Sequence, residues 1–192
     1  MDGGVLTDEK AIQDWISDCL EFGSARFEAV YLAAIIKNWK LGEFERVKEL
    51  DSEFQASRES SELLAETMQM GYSMMRLLRE LGEIKDECFM LSASPSFPLA
   101  WSAAAAAWGI GEEEAISAYL WSWAENQVMA AVKAMPLGQT AGQRMLLNLG
   151  EAISRIAGEV LKIPLEEASN FLPAFSIASC LHETQYARLF KS

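Results

Sequence analysis

A chain of 192 residues, 51% hydrophobic and 23% charged, has the composition of a globular protein long enough to bury a core without disulfide staples. Sixteen basic side chains against 28 acidic ones leave a formal net charge of −12, which repels phosphate backbones and anionic lipid headgroups and argues against nucleic-acid and membrane partners. Three scattered cysteines without a CxxC pair, a single histidine, no leader-like opening and no apolar run of the ~20 residues a spanning helix needs point to a soluble cytoplasmic chain with reduced thiols.

In chain order, the first helix is expected to open with Thr7 as N-cap and Asp8 and Glu9 at the positive end of its dipole. Its buried face is Ile12, Trp15, Ile16, Cys19 and Leu20. Gly23 reads as its stop and Ser24 as the cap of a second helix, whose stripe of Phe27, Val30, Tyr31, Ala34 and Ile35 ends at Gly42. A third helix carries Phe44, Val47, Leu50 and Phe54. From Ser60 to Leu81 a longer pattern puts Leu63, Leu64, Met68, Gly71, Met75 and Leu78 on one side, and Gly82 breaks it. Residues 92–98, with two prolines and three serines, read as a loop. Beyond it Ala103–Ala107 predicts a thin helix that a neighbour can approach closely.

Gly109 and Gly111 end that helix, and Glu112–Glu114 open another that reaches about Met135, before Pro136 and Gly138. A further helix runs through Leu146, Leu149, Ile153, Ile156 and Val160. Pro164 and Pro173 frame a short helix, and residues from Phe175 onward form a tail. No segment alternates β-branched residues between turn dipeptides, so strands are not expected. The fold class is therefore all-α, a single-domain helical bundle of about eight to ten helices over residues 1–174 with a C-terminal tail at 175–192.

Few constellations carry chemistry. His182-Glu183-Thr184-Gln185-Tyr186 begins like the HExxH zinc motif, but Tyr186 stands where the second histidine belongs. A di-metal carboxylate bundle needs two Glu-x-x-His pairs, and Ser179 precedes the one histidine by three. No GxxxxGK[ST] phosphate loop occurs, and Gly109-x-Gly111 is followed by repelling glutamates. A serine triad using His182 is formally open, although a hydrogen bond or partner contact is the favoured reading of a histidine in a tail. Trp121 and Trp123 with Tyr119, and Met68, Met70, Met74 and Met75, fit helical packing better than base stacking or thioether metal capture. Lys133, alone in the nearly uncharged run Val128–Pro136, complements a helix C-terminus or meets a partner. The residues favour a helical interaction protein over an enzyme, with no catalytic, cofactor or metal site.

Three blocks then carry a family resemblance. Ala178-Ser-Cys-Leu-His-Glu-Thr-Gln-Tyr-Ala-Arg-Leu-Phe-Lys-Ser192 closely resembles the terminal signature of the urease accessory protein UreF family. Trp121–Lys133, followed by Pro136-Leu-Gly-Gln139 and Gln143, is similar to its central helix and turn. Ala56-Ser-Arg-Glu59 with Glu62, Glu66, Gln69 and Gly71 is similar to its R-E-x-x-E-L-x-x-E-x-x-Q-x-G pattern. At the front the chain departs, opening Met1-Asp-Gly-Gly-Val-Leu-Thr7 where members generally carry a further Ser-Pro…Pro-x-Gly…Ser segment. A bundle helix and part of a partner surface are accordingly expected to be missing.

The resemblance implies a UreF-like all-helical domain over 1–174 and an interaction tail over 175–192. It implies a non-catalytic nickel-insertion chaperone subunit, homodimeric, that links a UreD (UreH) scaffold to the GTPase UreG, regulates that GTPase, and serves apo-urease. It also assigns His182, Glu183, Thr184, Gln185, Tyr186, Arg188, Leu189 and Phe190 to the tail that docks on the UreD-type partner, and Lys133 to the face turned toward the GTPase. Arg58 and Glu59 match motif positions, which a structural ion pair explains equally well. No cofactor is expected on this chain, since the complex handles the nickel. The competing readings are a helical hydrolase using His182 and a truncated paralogue that keeps the fold without the complex.

Overall fold

The computed structural model describes residues 8–85, 88, 91–135 and 137–184. Among them every regular element is helical and no strand occurs, as the missing β alternation requires. The contacts divide the chain into two compact units: Met1–Ala33 with Ile110–Phe171, and Ala34–Gly109 with Leu172–Ser192. No helix among the described residues is long and apolar enough to cross a membrane.

The first unit opens with α1, Glu9–Asp18. Its cap is Asp8, whose carboxylate accepts the Ala11 N–H at 2.8 Å, rather than Thr7, which lies outside the described residues. Gly23 does not stop this helix. The chain continues as a π-helix over Cys19–Ser24, with the Ala25 N–H bonded to the Leu20 carbonyl at 2.9 Å, and Gly23 and Ser24 are buried. One extra residue in the turn carries the chain through without a break, and two small side chains let it sit inside. α2, Glu28–Leu41, supplies its first residues to this unit and its remainder to the other.

Two long helices complete the first unit: α6, Glu112–Ala134, and α7, Gln139–Val160. They are joined by a short turn. α6 buries Ile116, Tyr119, Leu120, Ala124, Val128 and Ala131, and α7 buries Met145, Leu149, Ile153, Ile156 and Val160, each a helical stripe. A Cβ on Gly142 would meet Val132 at 2.9 Å, and one on Gly150 would meet the Trp121 ring at 2.9 Å. Numbers rising along α7 while falling along α6 make the pair an antiparallel hairpin, and the two glycines set its close approach. α1 packs on both helices. The Tyr119 hydroxyl donates to Glu28 at 2.8 Å. After Pro164 the expected short helix is one 3-10 turn, Leu165–Glu167.

The second unit contains α3, Phe44–Ala56; α4, Ser61–Glu80; α5, Phe97–Ala107; and α8, Pro173–Glu183. Gly42 and Gly82 end α2 and α4 at φ +75° and +73°, the left-handed conformation that lets a chain leave a helix. The alanine-rich α5 lies on α4, with Ala100, Ala103 and Ala104 against Met75 and Leu78. The loop before α5 is fastened from three sides. Asp51 accepts the Ser96 N–H at 3.1 Å, Gln55 donates to the Ser94 carbonyl at 2.9 Å, and Thr67 accepts the Phe97 N–H at 3.0 Å. Ser96 caps α5, and Pro98 falls in its first turn, where no N–H is needed. α8 is a helix opened by Pro173, so residues 175–183 are helical where a plain tail was expected.

Candidate partner-docking site

The first turn of α4 and the side chains of α8 meet in the second unit. Ser60 is the N-cap of α4, extended at φ −135° and ψ 155°, and its hydroxyl accepts the Leu63 N–H at 3.2 Å. The same hydroxyl bonds the Ser179 hydroxyl at 2.7 Å. Glu183 accepts both the Ser61 N–H, at 2.5 Å, and the Ser61 hydroxyl, at 2.7 Å. A carboxylate from one helix thereby satisfies an orphan amide at the positive end of another. His182 Nδ1 lies 2.5 Å from a Glu62 carboxylate oxygen. Ser176 donates to Glu59 at 3.4 Å, and the Cys180 thiol points at the Glu59 carbonyl at 3.6 Å. Next to Glu59, the Arg58 guanidinium stacks 4.4 Å from the centre of the buried Phe54 ring.

Two sequence blocks that lie far apart in the chain, Arg58–Gly71 and Ala178–Thr184, are therefore one structural feature. The imidazole contact is with a carboxylate, and the serines around it bond to one another or to glutamates.

The helix that carries these contacts is inverted. Its inward side consists of half-buried Phe175, Ser176, Ser179 and Glu183, while Ala174, Ile177, Ala178 and Leu181 face solvent. Ile177 is 61% exposed and Leu181 64%, one turn apart on the same face, and no residue of α8 is buried. A fold on its own terms places such residues the other way round.

His182, Glu183 and Thr184 close α8, and the structure brings His182 and Glu183 onto α4. Gln185, Tyr186, Arg188, Leu189 and Phe190 lie outside the described residues. Lys133 belongs to the other unit, exposed in the last turn of α6, where its charge complements the helix C-terminus. Sequence reasoning missed Glu59, Ser60, Ser61 and Glu62 as the seat of α8, because nothing in linear spacing ties two segments some 120 residues apart. Ser60 had shown itself only as the start of a helix.

No three histidine, cysteine, aspartate or glutamate side chains converge as a metal site among the described residues. The cysteines differ sharply in setting. Cys180 is exposed, whereas Cys19 is buried, and burial together with the Asp18 charge pushes its thiol up to about 11. A thiol so shifted stays protonated and unreactive near neutrality.

A family model described as UreF matches residues 6–150. The chain is 48% identical to a urease accessory protein UreF of Dechloromonas aromatica (strain RCB), over all of this chain and 86% of that one. It is 50% identical to the protein of the same description from Azoarcus sp. (strain BH72), over 98% of this chain and 83% of that one. With its counterpart in Methylobacillus flagellatus it shares 42% identity over the whole chain and 86% of the relative. Identities of 48% and 50%, over 98–100% of this chain and 83–86% of those two relatives, together with the match to the family model, mean that the chain belongs to the UreF family of urease accessory proteins.

Proposed function

We propose that this protein is a non-catalytic adaptor in the maturation of the urease nickel centre. It joins a UreD- or UreH-type scaffold, through α8 and the residues that follow, to a UreG-type GTPase, through the surface that carries Lys133. It works on apo-urease as a homodimer in the cytoplasm. Nickel is the cargo of the assembly rather than a resident cofactor of this chain, and nucleotide chemistry belongs to the GTPase, whose hydrolysis the adaptor regulates.

The observation that supports this reading best is the inversion of α8. A helix that turns Ile177 and Leu181 outward and its serines inward gives a partner an apolar ridge of i, i+4 anchors. The segment continues into Tyr186, Arg188, Leu189 and Phe190, residue types that serve as interface anchors.

The test is capture of the cognate scaffold protein by three chains: full length, ending at Thr184, and ending at Cys180. Capture by the full chain, weaker or absent with both truncations, is the expected result. Equal capture by all three would remove the C-terminal segment from the docking surface.

A further inference from the structure

α4 carries only half of a capping box. Ser60 caps it by accepting the Leu63 N–H at 3.2 Å, but that third position, where the box needs an acidic or amide side chain, is a leucine. The carboxylate comes instead from another helix. Glu183, the last residue of α8, accepts the Ser61 N–H at 2.5 Å and the Ser61 hydroxyl at 2.7 Å. One turn earlier on the same face of α8, Ser179 bonds the Ser60 hydroxyl at 2.7 Å. α1 and α5, by contrast, are capped by the side chains of their own cap residues, Asp8 and Ser96.

Helix ends open more readily than helix middles, because their terminal amides and carbonyls have no partner within the helix. Here each end leans on the other. The amide at the positive end of α4 gains an anionic acceptor, which the helix dipole favours, and the Glu183 carboxylate gains two donors. The bonded residues lie 119 and 122 positions apart in the chain, so these bonds exist only when α8 is seated and the first turn of α4 is wound. Bonds made only when both segments are ordered give each segment a share in the other's stability.

We propose that α8 completes the cap of α4 across the fold, so that the first turn of α4 and the last turn of α8 open and close as a coupled pair. Ordering either one favours ordering the other, by the same factor in both directions. A protein that grips the C-terminal segment therefore also acts on the start of α4. This consequence rests on the adaptor reading; the coupling itself rests on contacts within the second unit.

The test is hydrogen–deuterium exchange on the full chain without partners, for the unaltered protein, Glu183→Ala, Ser60→Ala and the two combined. Glu183→Ala is expected to lower protection of the Leu63 and Leu64 amides about fivefold, the size of a lost helix cap. Glu183→Gln, which keeps an acceptor oxygen and loses the charge, is expected to fall between. Ser60→Ala is expected to lower protection in the last turn of α8, across the contact, by about two- to fivefold. At Leu64, whose N–H bonds the Ser60 carbonyl, the combined loss is expected to be smaller than the product of the two single losses. Amides in the buried middle of α5, in the same unit, serve as the reference and stay unchanged. Unchanged protection of α4 in Glu183→Ala, unchanged protection of α8 in Ser60→Ala, or single losses that simply multiply overturns the coupling. Capture of the scaffold by the same proteins is read separately. Capture with uncoupled ends removes the coupling and leaves the adaptor, whereas coupled ends without capture remove the adaptor and leave the coupling.

Discussion

A Cβ added at Gly71 would run into the carbonyl groups of Pro95 and Ser96. Those are backbone atoms held in place by Asp51, Gln55 and Thr67, so they have little room to retreat. Alanine gains about 1 kcal/mol over glycine in a helix interior, but overpacking of this kind costs about 1–3 kcal/mol and more when backbone must move. Gly71→Ala is expected to destabilise by about 1–2 kcal/mol, read as a lower urea midpoint. Gly150→Ala, whose Cβ meets only the edge of the partly exposed Trp121 ring, is expected to cost less. Asp51 makes a second residue-scale prediction. Burial raises its carboxyl above the ordinary aspartate range, and bonds from Ser96, Ser92 and Gln55 offset that only in part. The folded chain thus holds this proton more tightly than the unfolded chain. The stability it contributes is present at acid pH and falls as pH rises from the unfolded range through the folded one. Asp51→Asn removes the effect, so between about pH 4 and pH 7 the unaltered protein is expected to lose stability relative to the variant, as denaturant midpoints at the two pH values would show.

At the scale of elements, most helices follow from periodicity and punctuation, and two do not. Gly23 looked like a stop because glycine commonly ends helices, yet the chain passes it in a π-helix with Gly23 buried. Glycine's lack of a side chain serves burial there as well as it serves a turn elsewhere. α8 is a helix where a tail was expected from Phe175 onward, and with Ile177 and Leu181 facing out it has no inward apolar stripe that the sequence pattern could reveal. That inversion yields a clean test. Ile177→Asp combined with Leu181→Asp replaces side chains that contribute little to folding, so the melting temperature is expected to hold within the shift of about 0.5 kcal/mol usual for surface substitutions. Scaffold capture is expected to fall at least tenfold, since a charge in the centre of an apolar docking face is left desolvated. A fall in stability matching the fall in capture would instead make the two residues part of the fold.

For the whole molecule, the informative fact is the partition of the chain. Its candidate contact residues fall in different units, Lys133 in one and α8 in the other. Two surfaces on separate units permit separate losses. Lys133→Glu is expected to weaken capture of the GTPase by about tenfold, the effect of placing a repulsive charge at an interface rim, while scaffold capture is unchanged. The double substitution on α8 is expected to do the reverse. Parallel capture assays with the two partners check both, and a variant that lost both partners together would indicate a folding defect rather than a docking one.

Sequence by itself determined a good deal. The all-helical class, the helix ends at Gly42, Gly82 and Ser60 and the close-approach role of the alanines in α5 follow from local signals, because spacing of 3.6, caps and positive-φ glycines act over a few residues, whereas the family was legible only as a resemblance in three motif blocks. The assignment of the tail to partner docking is an expectation from that resemblance and stands as a proposal. Tertiary structure decided what the tail rests on. Glu59, Ser60, Ser61 and Glu62 become its seat only once residues some 120 positions apart in the chain are neighbours. The same holds for Asp51, whose burial is invisible in a run of charged residues, and for Gly71, whose need to be glycine is written in the carbonyls of Pro95 and Ser96. Local propensity is a property of neighbours in sequence, whereas burial, steric exclusion and the pairing of distant charges exist only when the chain has closed on itself.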